Sequence, residues 1–448
     1  MTNYFVARVQ KDLNENNTII GGMFTSTNRI INDDHLKYLN KDAYTGGIDL
    51  TQYWKEKKYY LNVNYAMSHI RGDSTAMIIQ QESSRRYFQR PDNDYNSFDS
   101  TRTSLTGHAG TVQFGKRGSN KLRWMFWVTW RSPQFETNDI GFLHHSDAIF
   151  QVFWAGYNWT EPFGIFRNMQ LNLNQWTGWD FGLNSNFYGG NLNMHMQFKN
   201  HWQLGYGTNF DCGSVSNSLL RGGPAMKYPG SFNYWVNFGT DGRKKLQFYG
   251  NFGNNWGFEN SSSSNWYGFD IVYRPFDALR ISFMPDISFS TDEMQYVNTE
   301  EYNGEDRYVF AQIKQVTTDF TLRLDYTITP ELTIQYYGSP FVGTGDYSDP
   351  KYITDPKADK FKDRFSTDMS FSTEDYENNY DFNFRQFKSN LVLRWEYRPG
   401  SLLYLVWTQN KTGAVANGNF SFFDDYDALF NIHPYNVFLI KLSYRIGN

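Results

Sequence analysis

Residues 320–327 read Phe-Thr-Leu-Arg-Leu-Asp-Tyr-Thr, so apolar and polar side chains alternate along the whole stretch. Successive side chains of a β-strand point to opposite faces, so Leu322 and Leu324 share one face while Arg323 and Asp325 share the other. The same alternation recurs in four further segments, at residues 59–68, 121–131, 246–252 and 438–446. The pattern predicts strands of about 10–14 residues with one face in lipid and one in water, as tilted membrane strands require.

The composition agrees with a wall of this kind. Aromatic residues make up 19% of the 448, with 39 Phe, 32 Tyr and 14 Trp, yet the mean hydropathy is −0.64. No apolar run approaches the ~18 residues that a spanning helix needs, which leaves a closed barrel as the other way to cross a bilayer. The net charge of −4 gives no indication of nucleic-acid binding. Cys212 is the single cysteine, which excludes an intramolecular disulfide and a cysteine-rich metal site.

Alternation and turn signals together predict nineteen strands. They lie near residues 4–12, 18–28, 43–54, 58–70, 102–115, 121–132, 147–159, 165–178, 185–198, 201–211, 230–240, 244–254, 265–274, 278–298, 307–327, 331–340, 386–397, 401–411 and 436–447. The predicted fold is therefore all-β: a transmembrane antiparallel meander β-barrel of the outer-membrane type, with about 18–20 strands in this chain. We expect one barrel domain over residues 1–448.

The predicted connections alternate between short and long. The short turns lie at residues 55–57, 116–120, 199–200, 240–243, 275–277, 329–330 and 399–400. The long loops lie near residues 71–101, 133–146, 212–229, 341–385 and 412–435. Outer-membrane barrels have tight periplasmic turns and extended external loops, which is the sorting seen here, and a soluble β-sandwich has no reason to show it.

The number of strands raises a question of parity. The alternation of short and long connections is kept only if residues 307–327 form one long strand. That strand would pair with 278–298 and project past the membrane. With nineteen strands and the last one ending in the periplasm, the first would begin outside, whereas bacterial single-chain barrels have even numbers. We therefore expect that strands preceding Met1 belong to a larger barrel; a miscounted strand is the alternative. The N-terminal residues already read as a strand and lack the apolar core of a signal peptide.

Six segments along the chain resemble an uncharacterised family of large Gram-negative outer-membrane proteins. They are Thr2-Asn-Tyr-Phe-Val-Ala-Arg-Val-Gln-Lys-Asp12, Arg85-Arg-Tyr-Phe-Gln-Arg-Pro-Asp92, Ser132-Pro-Gln-Phe-Glu-Thr-Asn-Asp-Ile-Gly-Phe-Leu143, Leu220-Arg-Gly-Gly-Pro-Ala-Met226, Gln335-Tyr-Tyr-Gly-Ser-Pro-Phe341 and Leu393-Arg-Trp-Glu-Tyr-Arg-Pro-Gly-Ser401. In that family a signal peptide and a carbohydrate-binding-like domain precede a C-terminal barrel. The resemblance implies that this chain lacks the signal, that domain and the first strands, and it carries over no established activity.

The loop at residues 71–101 holds the first candidate site residues, Arg85, Arg86 and Arg90, together with Asp92. Residues 74–84 within it are predicted to form a short helix. One interpretation is an external or inward-folded loop that narrows the pore. The alternative, which the sequence favours, is a solvated surface loop whose arginines contact lipopolysaccharide or nearby aspartates.

Two further loops carry candidate residues. Asp139 lies in a segment that superficially resembles a metal or acid–base cluster with His144 and His145, but adjacent histidines of a strand point to opposite faces. A structured loop in which Asn138 and Asp139 hold a turn is the favoured interpretation. Arg221 precedes two glycines, which suits a loop folded against the barrel mouth or an ordinary surface loop.

The remaining candidates are charged residues of the wall and of the longest loop. Arg323 and Arg394, with Arg123, are expected on the lumenal face. They could provide electrostatic selectivity, form ladders with acidic residues that hold the wall together, or do both. The aspartates of residues 346–363 and 424–427 lack the spacing of a calcium loop and are expected in mobile charged segments.

The sequence does not rank the functions firmly. It contains no serine nucleophile elbow, no HExxH motif and no convincing carboxylate pair, so enzymatic activity is disfavoured and no cofactor is expected. The leading hypothesis is passage or binding of a substrate, a glycan-derived one included, at the outer membrane. The alternatives are an anchor for an attached domain or partner protein, and a hydrolase with its site at the external mouth. Outer-membrane lipid and lipopolysaccharide are the expected surroundings.

Overall fold

The computed structural model describes residues 1–118, 121–376 and 380–446. Within them lie twenty-one strands and two α-helices. The strands are β1 (Thr2–Leu13), β2 (Thr18–Arg29), β3 (Asp42–Trp54), β4 (Tyr59–Arg71), β5 (Ser104–Lys116), β6 (Leu122–Arg131), β7 (Ala148–Trp159), β8 (Phe166–Trp179), β9 (Ser185–Phe198), β10 (Gln203–Ser216), β11 (Met226–Tyr228), β12 (Ser231–Gly239), β13 (Leu246–Gly257), β14 (Ser262–Phe276), β15 (Leu279–Tyr302), β16 (Glu305–Thr329), β17 (Leu332–Ile353), β18 (Phe365–Ser366), β19 (Phe382–Arg398), β20 (Ser401–Val415) and β21 (Tyr435–Ser443). The helices are α1 (Ser74–Glu82) and α2 (Phe422–Asn431).

All strands belong to one antiparallel meander in which each long strand pairs with the next in the chain. The two short strands are additions at strand ends: β11 pairs with β10, and β18 pairs with β17. The nineteen remaining strands match the nineteen predicted strands one for one, and the predicted fold class is confirmed. In the described part of the chain, β1 pairs only with β2 and β21 only with β20.

Opposite residues of neighbouring strands share a face, so one apolar face runs across the whole sheet. On the last strands Leu391 lies opposite Trp407, which lies opposite Phe438. The adjacent positions form the other face, where the Thr408 hydroxyl lies 3.1 Å from the Asn390 side-chain oxygen. Many large side chains of the apolar face are exposed to the surroundings of the protein. A face of this kind is stable against hydrocarbon, because lipid removes the apolar side chains from water as a protein core would. The hydrophobic free energy is therefore gained at the lipid contact.

The predicted sorting of the connections is also confirmed, with three exceptions. The turns from β1 to β2, from β3 to β4 and at the matching end of every later pair are short, whereas the other end carries residues 72–103, 132–147, 217–230, 354–381 and 416–434. At that end the connections 180–184, 258–261 and 303–304 are short as well. The predicted turn 116–120 includes residues 119 and 120, which lie outside the described residues.

The structure confirms the single long strand around residues 307–327, since β16 runs from Glu305 to Thr329 and pairs along its length with β15. The predicted loop 341–385 is wrong at its start, because β17 continues to Ile353. That extension pairs with the upper part of β16 beyond the lipid-facing band, where no bilayer enforces alternation. Gly343, Gly345 and Asp346 interrupt the alternation there, so the sequence pattern did not predict a strand.

Three smaller corrections concern strand ends. The predicted loop 212–229 contains the end of β10 and all of β11, and the predicted loop 412–435 contains the end of β20 and α2. The last strand was predicted over residues 436–447; β21 ends at Ser443, and residue 447 lies outside the described residues. In each loop the sequence showed polar or acidic residues without a lipid-facing pattern, so its local structure was not apparent.

The wall must curve, and its polar face lies inside the curve. Asp92, from the segment after β4, forms an ion pair with Lys357, which follows β17, at 3.0 Å. Arg86 is held by Glu136, whose N–H bonds to Ser68 of β4, so one short segment joins β4 to the end of β17. In a flat sheet twelve strand spacings, roughly 58 Å, would separate these two strands, whereas residues 86–92 span at most roughly 21 Å. Helix α1 packs on Ile70 and Leu105, whose positions belong to the polar face, so these loops lie on the lumenal side.

The two helices lie on opposite faces of the wall. The helix predicted within residues 74–84 is α1, whose N-terminus is capped by the Asp73 carboxylate accepting from the Thr75 N–H at 3.0 Å. Helix α2 packs on the apolar face, where the Tyr426 hydroxyl lies 2.7 Å from that of Thr318 and Leu429 is fully buried. No helix in the described residues is long and apolar enough to span a membrane.

Helix α2 depends on one buried carboxylate, and its removal is the first prediction. Asp425 accepts hydrogen bonds of 2.8 Å from Asn383, Arg385 and the Ser421 N–H. We expect Asp425→Ala to destabilise the segment by about 2–4 kcal/mol, because it leaves these donors without their acceptor. Amide hydrogen exchange of residues 416–434 should rise by an order of magnitude or more.

The control for that prediction is Asp427→Ala on the exposed side of the same helix, where the carboxylate accepts from Asn431 at 3.1 Å. Exchange in 416–434 should stay within about twofold of the unmodified protein, since exposed pairs contribute little. Equal exchange in the two variants would show that Asp425 does not hold the helix on the wall.

Candidate functional site

Four long connections interlock over the lumenal face at one end of the barrel. We call them the loop layer, which comprises residues 72–103, 132–147, 217–230 and 354–366. They follow β4, β6, β10 and β17 respectively, so strands from much of the wall contribute to a single assembly. Each pair of neighbouring segments is joined by at least one buried or half-buried polar contact, and these contacts decide what the layer can do.

The anchor of the loop layer is a buried ion pair between two predicted residues and one that the sequence did not single out. Glu136 accepts from the Arg86 guanidinium at 2.6 Å and from Arg85 at 3.1 Å. Arg86 also donates to the Phe135 carbonyl, and the Glu136 N–H donates to the Ser68 hydroxyl of β4. Arg86 and Glu136 are almost fully buried, so this contact fixes segment 72–103 against segment 132–147 and the wall.

Burial lowers the pKa of Arg86 to about 10, partly offset by the neighbouring Glu136 carboxylate. Arg86 therefore remains a cation at neutral pH. Two of its nitrogens, Nε and Nη1, have no hydrogen-bond partner among the described residues. A buried cation with so few partners depends heavily on its one carboxylate.

A second polar chain links Arg90 to the wall. The Tyr95 hydroxyl donates to Asp147 at 2.5 Å, and the Arg90 guanidinium lies 3.5 Å from the same hydroxyl. Burial raises the pKa of Asp147, against hydrogen bonds from Tyr95 and the Phe181 N–H. Burial and the Asp147 carboxylate raise the pKa of Tyr95, so the phenol stays a proton donor. The contact joins segment 72–103 to the start of β7.

Asp92 connects segment 72–103 to the far side of the mouth. Its carboxylate accepts from the Ala225 N–H at 3.0 Å and from Lys357 at 3.0 Å. Burial raises the pKa of Asp92. The opposing effect is larger, because hydrogen bonds from Lys357 and Ala225 and the charge of Lys357 all lower the pKa, so that it lies below the ordinary value. The ionised form is thus the one that holds the layer together.

The second prediction follows from that lowered pKa. A carboxylate with a depressed folded pKa stabilises the folded state fully above its unfolded pKa of about 3.9, and the contribution is lost as pH falls through the folded pKa. At pH 7, Asp92→Asn should increase hydrogen exchange of residues 217–230 about tenfold. At acidic pH the difference from the unmodified protein should shrink, because Asp92 itself becomes protonated as the pH falls through its lowered pKa.

Asp94→Asn is the matched control, since Asp94 is an exposed aspartate of the same segment. It should leave exchange of residues 217–230 unchanged at both pH values. If Asp92→Asn behaves like Asp94→Asn at pH 7, the Asp92 contacts do not contribute to closing the mouth.

Arg221 lies in the loop layer, as the sequence suggested for a loop against the mouth. Its guanidinium sits 4.1 Å from the centre of the Tyr296 ring on β15, a cation–π contact. Nearby, Leu220 and Met226 pack with Phe310 and Ile353 in an apolar cluster. Segment 217–230 is therefore seated on the extended β15–β17 strands.

The other predicted residues lie apart from this group. Asp139 accepts from Arg29 and, at 2.8 Å, from Asn40, so it ties segment 132–147 to the β2–β3 connection. Arg323 and Arg394 lie on the polar face of the wall: Arg323 stacks on Tyr337, 5.2 Å from its ring centre, and Arg394 pairs with Glu396 at 3.4 Å on its own strand. These contacts agree with a structural role.

A cavity of about 500 Å³ lies between the loop layer and the wall. Its lining combines loop residues with residues of β6, β7, β9 and β10: Ser84, Arg85, Arg86, Tyr87, Thr129, Trp130, Arg131, His145, Ser146, Asp147, Ala148, Phe150, Asn186, Phe187, Ser214, Val215, Ser216, Asn217 and Ser218. A volume of this size suits a small ligand or part of a larger one. Three arginines and the rings of Tyr87, Trp130, Phe150 and Phe187 give it both polar and apolar surface.

Sequence reasoning missed the partners that complete the site. Glu136, Asp147 and Lys357 carried no local signal, since each is an ordinary charged residue in a polar loop. No group of three or more His, Cys, Asp or Glu is placed to hold a metal ion in residues 1–118, 121–376 and 380–446. The aspartates of 346–363 and 424–427 do not converge on one point in those ranges.

The chain was compared with known proteins by sequence and by structure. No curated protein matches it in sequence. Among solved structures, a mutant form of the ferric enterobactin receptor (PfeA) of Pseudomonas aeruginosa is similar at 7% identity, with a TM-score of 0.42, over 96% of this chain and 73% of that one. A likeness of that size supports no inference about function. The family described as "Domain of unknown function (DUF5916)" matches residues 1–447, and this chain therefore belongs to that family.

Proposed function

We propose that the chain is an outer-membrane barrel that binds a substrate under the loop layer and passes it through the lumen when the layer opens. The apolar outer face supports a lipid surrounding, and the polar inner face supports a lumen that water and solutes can enter. The observation that carries the proposal is the contact of Asp92 with Lys357 and Ala225. It joins loop segments that follow distant strands of the wall, so that together they cover one mouth of the lumen.

The loop layer has the character of a closure that can open. Its strongest contacts are a few ion pairs and hydrogen bonds at segment junctions, while its apolar clusters are small and separate. Segments held in this way open at a lower free energy than the wall, whose long strands pair along most of their length with their neighbours in the chain. The cavity beneath it, about 500 Å³ in volume, is the place where a substrate would be held before passage.

Planar-bilayer conductance tests the proposal. The unmodified protein should conduct weakly, and replacing the connection between Ile353 and Phe382 by a short linker should raise the conductance several-fold. The matched control shortens the connection between Val415 and Tyr435, which lies on the apolar face and should leave the conductance unchanged. No current from either the unmodified or the linker protein would overturn passage.

A further inference from the structure

The lumenal wall is divided into a charged and an uncharged sector. On β15–β19 the polar face carries Arg280, Asp286, Asp319, Arg323, Asp325 and Arg394. On β8, β9, β10, β12 and β13 it carries Asn, Gln, Gly, Ser and aromatic residues with His195, at positions that the structure describes throughout. Asp211, near the loop layer, is the one Asp, Glu, Lys or Arg among those positions. We call this second region the uncharged sector.

Tryptophan rings lie flat on the wall in the uncharged sector. A Cβ at Gly207 would overlap the Trp235 ring on the neighbouring strand, and one at Gly189 would lie 3.0 Å from the Trp176 ring nitrogen. Trp266, at the border on β14, covers β13 in the same way. Because glycine leaves room for one face of each ring, the other face points into the lumen. Trp176 and Trp235 are half-buried, as that placement requires.

Between the rings, asparagine side chains bond to one another across neighbouring strands. Asn174 donates to Asn191 at 2.6 Å, and Asn209 donates to Asn233 at 2.5 Å. Each amide has two donor hydrogens and an acceptor oxygen with two lone pairs, so one such bond leaves capacity for a ligand. The sector therefore offers aromatic faces and neutral hydrogen-bonding groups side by side.

This combination selects among ligand classes. An anionic ligand would find no Lys or Arg along the sector, and a cationic one would find only Asp211 at its end near the loop layer. An apolar ligand would bury the amides without partners, at a cost of about 1–3 kcal/mol each. A sugar ring satisfies both features, because its C–H face packs on the electron-rich face of an aromatic ring while its hydroxyls bond to amides. The upper end of the sector also borders the cavity, through Asn186, Phe187 and Ser214.

We propose that the uncharged sector binds an uncharged oligosaccharide, with Trp176 and Trp235 as stacking platforms and the lumenal asparagines as hydrogen-bonding partners. This inference rests on the proposed function, since it names the substrate class of the same lumen. It predicts that charge-neutral chains of several sugar units bind better than single sugars, because the two tryptophans lie on β8 and β12, with two strands between them.

Equilibrium dialysis of the full chain in lipid nanodiscs, with maltohexaose, cellohexaose and xylohexaose as probes, tests the inference without requiring current. At least one probe should bind, and Trp235→Ala should weaken that binding about tenfold, the size expected for one lost aromatic contact. Trp235→Phe keeps a ring at the site and should lose about threefold or less. Should the alanine variant fail to fold, the phenylalanine variant and Asn191→Ala, which should also weaken binding, carry the test.

Two controls come from the chain itself. Trp395→Ala removes a tryptophan from the apolar outer face, and Arg323→Ala removes a cation from the charged sector. Neither should change oligosaccharide affinity by more than about twofold. Equal losses in Trp235→Ala and Trp395→Ala would overturn the placement of the ligand.

The outcomes separate this inference from the proposed function. Conductance that none of the three hexasaccharides blocks, together with no binding in dialysis, overturns the substrate class and leaves passage supported. Oligosaccharide binding that depends on Trp235, in a protein that never conducts, supports the substrate class and overturns passage.

Discussion

Glu136→Ala is expected to open the mouth of the barrel. The substitution removes the carboxylate from a cation that is fully buried and whose Nε and Nη1 already lack partners. Breaking a buried ion pair by removing one partner costs about 3–5 kcal/mol, since Arg86 would remain charged in a poorly solvating site. The loss should fall on segments 72–103 and 132–147 and leave the paired strands of the wall intact.

Three measurements should change together. Bilayer conductance should rise several-fold, trypsin should cleave after Arg85 or Arg86 in the folded protein, and hydrogen exchange in 72–103 should approach that of an unprotected loop. Glu136→Gln keeps the shape and the hydrogen-bond acceptor while losing the charge, so its effect should lie between those of Glu136→Ala and the unmodified protein.

Glu305→Ala is the control for that experiment. Its carboxylate pairs with Arg307 at 3.3 Å near the exposed tip of the β15–β16 hairpin, where an ion pair contributes little. Conductance and protease resistance should be unchanged. A Glu136→Ala protein that remains closed and protease-resistant would show that the buried pair does not hold the loop layer.

Leu405→Arg is expected to prevent stable insertion of the barrel in a membrane. Leu405 lies on the apolar face between Leu393 and Ile440 and is 40% exposed to the surroundings of the protein. An arginine facing lipid near the middle of the bilayer costs about 2–4 kcal/mol. We expect folding into liposomes, measured by heat-modifiable gel mobility, to fall by more than tenfold at equilibrium.

The matched control is Thr408→Arg on the same strand. Thr408 belongs to the polar face, where its neighbour Asn390 lies opposite. A lumenal arginine keeps its hydration, so folding should change by less than about threefold. Equal defects in the two variants would contradict the assignment of lipid and lumenal faces.

The strands were predictable because each one carries its own signal. A lipid face and a water face impose alternation on every wall segment, as in Leu322, Arg323 and Leu324, and each strand pairs with its neighbour in the chain. The alternation of apolar and polar residues ends where the strands leave the lipid-facing band. The extension of β17 to Ile353 and helix α2 lie beyond the alternating lipid-facing segments, and neither was predicted.

The candidate site was predictable only in part. Arg85 and Arg86 were recognised from their clustering, and the inward-folded loop was one of two interpretations. The structure supports that interpretation over the surface loop, because Arg86 is buried and segment 72–103 packs on the lumenal face. Whether the candidate residues act on a substrate stays a prediction that the conductance and binding experiments address.

The amino-acid sequence by itself determined a two-faced antiparallel wall, since lipid and water act on each strand locally and with a period of two. The tertiary structure alone decided how the mouth is closed and where the lumen is uncharged. Arg86 meets Glu136 across 50 residues, and Asp92 meets Ala225 across 133, through packing and charge pairing that no local pattern records. The uncharged sector likewise arises from strand register, which places the Asn and Trp residues of separate strands side by side.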